Sequence, residues 1–125
     1  MKAKYQQGAT LIEVMITGLL LATCLLSMAI LQKRSLQFNQ SAYMRSQANI
    51  YVYDILDRIR LNRLNLTQYN IAYGAAVGGG SDAANDISAW RANIASALPN
   101  GDGALTCNNT TKICRVAIRS PELIS

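Results

Sequence analysis

The sequence predicts an α+β fold: a long N-terminal α-helix with an apolar first half, then a small globular part of one short helix and a β-hairpin. Three observations predict it. From Val14 to Leu31 eighteen residues pass without a charge. From Ala9 to Tyr73 the only glycine is Gly18, and there is no proline. Beyond the turn cluster Pro99-Asn100-Gly101-Asp102-Gly103, apolar residues alternate with polar ones around Cys107 and Cys114.

The apolar run comes first. Eighteen uncharged residues make about 27 Å of helix at 1.5 Å per residue, close to the hydrocarbon thickness of a bilayer. A chain of 125 residues has no interior wide enough to bury a helix that is apolar all round. A secretory signal peptide would need a small-residue cleavage site after the run, and Gln32-Lys33-Arg34-Ser35 follows instead. Cys24 sits in the middle of the run, which argues against a lipoprotein signal; it reads as a plain buried thiol.

The helix continues past the run. Ala48, Val52, Ile55, Leu56 and Ile59 recur at three- and four-residue steps, so the helix becomes one-sided and is expected to run to about Leu64 and to pack on the globular part. Asp54 and Arg58 are spaced for an i, i+4 pair on another face. Tyr43, Tyr51 and Tyr53 read as packing or subunit-contact residues rather than a stacking platform. Residues 74–81, with Gly74, Gly78, Gly79 and Gly80, form a flexible break. A shorter helix follows, capped by Ser81 or Asp82, with Asp86 near its first turn; Ile87, Trp90, Ile94 and Leu98 form its buried stripe, and Pro99 ends it. In the hairpin Leu105 and Cys107 share one parity, as do Cys114, Val116 and Ile118, and the cysteines face each other across a turn at 108–113. Pro121 stops the second strand.

Cysteine usage bounds the compartment. Two cysteines without a histidine make a poor zinc site, so a Cys107–Cys114 disulfide is the better reading and implies an oxidising compartment such as the bacterial periplasm. The net charge of +5 falls to +3 without Lys2 and Lys4, and the other basic residues are scattered, which is a mildly basic surface rather than a nucleic-acid footprint. With no histidine in the chain, His-based triads and His metal sites are excluded. Asp54 and Asp57 read as a solvated face, and Gly78-Gly79-Gly80 lacks the Gly-Lys-Ser/Thr ending of a phosphate loop. No enzyme and no cofactor is expected. Glycosylation acceptor patterns at Asn65, Asn108 and Asn109 carry little weight because they are common by chance.

Glu13 is the informative residue. A carboxylate at the edge of a membrane helix is costly and calls for a compensating charge. A cut after Gly8 would create a free amine four residues away, about one helical turn. The run Gly8-Ala9-Thr10-Leu11-Ile12-Glu13 behind a basic leader resembles the class III signal of the type IV prepilin and pseudopilin family. The resemblance implies a type IV pilin-like fold divided as leader peptide 1–8, transmembrane or filament-core helix 9–31, amphipathic continuation 32–66 and a small α+β periplasmic part 67–125. It implies a scissile bond at Gly8–Ala9, cut by a membrane prepilin peptidase that also methylates the new N-terminus at Ala9, and an assembly role for Glu13. Ala9 departs from the usual phenylalanine of the family, which bears on methylation more than on cleavage.

Asp86 and Trp90 with Leu98-Pro99, Gly101 and short strands resemble the minor-pilin family of type IV pilus modification proteins (PilV). The function so implied is a minor pilin of the pilus initiation or tip complex, with other minor and major pilins as partners and the inner membrane as its site before assembly. A minor pseudopilin of a type II secretion system is the alternative. A pilus-associated adhesive or DNA-binding subunit using Arg115 and Arg119 is a third reading, and nucleic acid is not favoured. Lysines and arginines flank the apolar run on both sides, so charge counting does not fix its orientation; the short leader, the disulfide and the resemblance place the C-terminal part in the periplasm.

Overall fold

The computed structural model describes residues 9–124. It has an α+β, pilin-like layout: α1 (Ala9–Leu61), a 3-10 helix (Arg63–Tyr69), α2 (Asp82–Ala97), β1 (Asp102–Asn108), β2 (Ile113–Arg119) and α3 (Pro121–Ile124). The chain divides into two compact units, one ending at Asn39 and one starting at Gln40.

The first unit holds only α1. Every side chain from Thr10 to Gln40 is exposed, Leu11, Met15, Leu19, Leu25 and Leu31 among them. The helix is long and apolar enough to cross a membrane. Three of its hydroxyls bond back to their own backbone: those of Thr17, Thr23 and Ser27 donate to the carbonyls of Val14, Leu20 and Thr23 at 2.9, 2.9 and 2.8 Å. A helix in hydrocarbon needs its polar groups satisfied internally in this way. Cys24 is exposed rather than buried, as is every described neighbour from Thr10 to Gln40.

The second unit has a real core. Met44, Ile55 and Ile59 from α1 pack with Leu66 and Tyr69 of the 3-10 helix, Ala83, Ile87, Trp90 and Ile94 of α2, Leu98, and Leu105 and Cys107 of β1. Ala48 and Tyr51 complete the α1 stripe at its edge, while Val52 and Leu56 are half-buried beside it. Tyr43 and Tyr53 stay exposed. The α-helix stops at Leu61 rather than near Leu64. Asn62 has already left helical geometry, Asn65 interrupts the 3-10 turn, and the Asn65 amide donates to the Asn62 side chain at 2.9 Å. Short amide side chains that bond locally compete with the helical ladder, which is why the boundary falls at the asparagines.

Trp90 is the keystone of this unit. It is fully buried, and its Nε1–H donates to the Tyr51 carbonyl of α1 at 2.8 Å. The far end of its six-membered ring lies against Gly103 of β1, where an added Cβ would stand 2.3 Å from the ring. This explains why Asp102 and Gly103, expected in the turn cluster, belong to β1: only a residue without a side chain lets the strand approach the indole. Ser81 caps α2, its Oγ accepting from the Ala84 N–H at 3.1 Å, and the helix ends before Leu98 and Pro99. Past β2, Pro121 does more than stop the strand; it opens the one-turn α3, a position where its missing N–H is harmless.

β1 and β2 pair antiparallel from Asp102↔Arg119 to Asn108↔Ile113. The turn between them is organised by Asn108, whose Oδ1 accepts from the N–H groups of Thr110 and Thr111, and by Lys112 in a left-handed conformation. Cys107 and Cys114 stand opposite each other and are joined in a disulfide. Closing so short a loop contributes about 2–3 kcal/mol in the chain-entropy account, useful to a core this small. On its other edge β1 meets Ile71, the two residues Ile71 and Leu105 exchanging backbone hydrogen bonds of 2.9 Å.

Candidate functional site

The site predicted from sequence lies at the start of α1. Gly8 lies outside the described residues. Ala9 opens α1, and Glu13 follows four residues later, about 6 Å along the axis. The Glu13 side chain is exposed and, among the described residues, takes part in no ion pair. It is the only carboxylate of α1 before Asp54, and every side chain of the next two turns is apolar or a hydroxyl bonded to its own helix apart from Gly18. The arrangement can do one thing chemically. It offers a single negative charge on an apolar cylinder, one helical turn from where a cut after Gly8 would leave a positive amine.

The second unit carries two polar clusters that the sequence reading did not assemble. In the first, Arg58 reaches Asp54 at 3.2 Å, the expected i, i+4 pair, and also Asp86 of α2 at 3.4 Å. The Tyr69 hydroxyl donates to the other Asp86 oxygen at 2.8 Å. Asp86 therefore locks α1, α2 and the 3-10 helix together. Burial, then the bond to Asp86, raises the Tyr69 hydroxyl above its ordinary value of 10.0. A raised value favours the protonated form in the folded state, so this contact stabilises fully below about pH 10 and fades as pH climbs through the raised value. Asp57 and Arg60 pair at 2.7 Å on the exposed side of α1.

In the second cluster, Arg91 donates to the carbonyls of Ala72, Ala75 and Gly103 and lies 3.4 Å from Asp102. Asp102 in turn accepts from the Gly74 N–H at 2.7 Å. Together they pin the glycine-rich segment to β1. The signal was present in sequence as an arginine directly after Trp90 at the border of the buried stripe, but its carbonyl partners are far away in the chain. A groove of about 300 Å³ opens beside this segment, lined by Asn70, Ile71, Val77, Ser81 and Ile87 among others. Its lining holds no acid, base or thiol, and its one hydroxyl, Ser81, is the cap of α2. Among the described residues no group of three or more Cys, Asp and Glu side chains gathers as a metal site. Arg115 and Arg119, named for the nucleic-acid reading, lie exposed on β2, with Arg119 stacked 4.4 Å above the Tyr73 ring.

No protein-family model, curated protein or solved structure matches the chain. The functional reading therefore stands on the chain's own residues.

Proposed function

We propose that this chain is a minor pilin that takes part in type IV pilus assembly. The observation that carries the reading is the contrast within α1: a fully uncovered apolar segment with one carboxylate, Glu13, next to Gly8-Ala9, continuing into a helix that is the spine of a disulfide-closed head. Before assembly, residues 9–31 hold the subunit in the inner membrane with the head in the periplasm. The leader is removed after Gly8 and Ala9 is methylated. During assembly the apolar cylinder exchanges lipid for the helices of other pilins, which costs little because both surroundings are apolar. Glu13 then meets the amine of a neighbouring subunit, and the pair neutralises a charge that would be costly alone.

Fractionation tests this. Pili sheared from cells should carry the chain without its first eight residues. A chain held entirely in the inner membrane of piliated cells would reject the assembly role.

A further inference from the structure

The hairpin has one closed edge and one open edge. Leu105 gives both its N–H and its C=O to Ile71, away from β2. Leu105 stands opposite Val116, and in an antiparallel pair two opposite residues either exchange both bonds or neither. The N–H and C=O groups of Val116 therefore point away from β1, and so do those of Cys114 and Ile118, two residues to either side. Among the described residues, no backbone hydrogen bond reaches this edge from another element. β2 holds no proline, and the register runs through all seven pairs without a bulge, so two of the usual devices that blunt a free edge are missing.

The side chains along this edge say what it can accept. Ile113, Arg115, Ala117 and Arg119 share the outer face, and Cys114, Val116 and Ile118 lean on the core. Arg119 stands opposite Asp102, but that carboxylate is engaged by Arg91 and the Gly74 N–H, and Arg119 lies over Tyr73 instead. Among the described residues neither Arg115 nor Arg119 takes part in an ion pair, and Lys112 beside them bonds only the Asn109 amide oxygen. A second copy added edge to edge and centred on Val116 would crowd four arginines on one face, which like-charge neighbours oppose.

We propose that the β2 edge is a strand-addition site for an extended acidic segment of another protein. That segment pairs with Cys114, Val116 and Ile118 through its backbone. It carries carboxylates four residues apart opposite Arg115 and Arg119, a small residue opposite Ala117, and apolar residues between them facing the core side. The carboxylates give selection by charge, and the backbone pairing fixes the register.

The test uses the full chain in detergent micelles and a blocked peptide Ser-Glu-Val-Thr-Val-Glu-Ser, with amide hydrogen exchange read by NMR. The amides of Cys114, Val116 and Ile118 should gain protection on peptide binding, and binding should weaken with salt. Replacing both glutamates of the peptide by lysine should weaken binding at least about tenfold, as should the double variant Arg115→Glu, Arg119→Glu. Val116→Pro, which removes an N–H that makes no backbone bond to another element among the described residues, should abolish the protection while the β1–β2 amides stay protected. If that variant does not fold, the charge-reversed pair decides: it should regain binding with the lysine peptide. Equal binding of both peptides, binding without protection of the three amides, or self-association of the chain through β2 would each overturn the proposal.

Discussion

Replacing Trp90 by alanine is expected to remove about 3–5 kcal/mol from the second unit, which is most of what a head of this size has to lose. The indole is fully buried between α1, α2 and β1, and truncation leaves a cavity that backbone cannot fill, since Gly103 has no side chain to relax into it. The Tyr51 carbonyl also loses the N–H it accepts from Trp90. The converse substitution, Gly103→Ala, destabilises by overlap: the new Cβ would stand 2.3 Å from a ring that its own hydrogen bond holds in place. That costs about 1–3 kcal/mol or more. Hydrogen exchange of the α2 amides in the full chain reads both effects, because exchange from this helix reports opening of the core it belongs to. A loss below about 1 kcal/mol for Trp90→Ala would mean that the indole is not the keystone.

The second large effect is functional. Glu13→Val is expected to leave cleavage after Gly8 intact and to lower incorporation into filaments by about two to four orders of magnitude. The variant anchors at least as well in a bilayer, since it exchanges a charge for an apolar side chain. On the proposed function it loses the partner of a neighbour's amine, and an amine left unpaired in a helix-packed core costs about 3–5 kcal/mol. Glu13→Asp, which keeps the charge but shortens the reach, should fall between the two. Immunoblots of sheared filaments against the membrane fraction measure the ratio. Wild-type incorporation of Glu13→Val would remove Glu13 from the assembly mechanism.

Much of this was legible because it is local. The uncharged run, a cap at Ser81 or Asp82 (it is Ser81), the Ile87–Trp90–Ile94–Leu98 stripe and the parity that sets Cys107 opposite Cys114 all follow from spacing along the chain, and each stands in the structure. The errors lie where a distant residue decides. Gly103 looks like a turn glycine until Trp90, from another element, explains why the strand must begin there. Asp86 looks like a first-turn acid until Arg58 and Tyr69 converge on it. Arg91 looks like a surface charge until three carbonyls from two other segments are seen to share it. The open edge of β2 was legible only as a hairpin; its direction of exposure needed the bridge between Ile71 and Leu105. The candidate site at Gly8, Ala9 and Glu13 was readable from a short motif, and its structural part is confined to the start of α1.

On the proposed function, the segment before α1 is a leader and Gly8–Ala9 is the bond that is cut. Intact mass and N-terminal sequencing of the chain purified from its own cells measure this directly. The expected result is a mature chain that begins at Ala9 and carries one added methyl group, and a Gly8→Ala variant that keeps Met1 to Gln7 and stays in the membrane. A wild-type chain from piliated cells that keeps those residues, or one cut at any other bond, would contradict it.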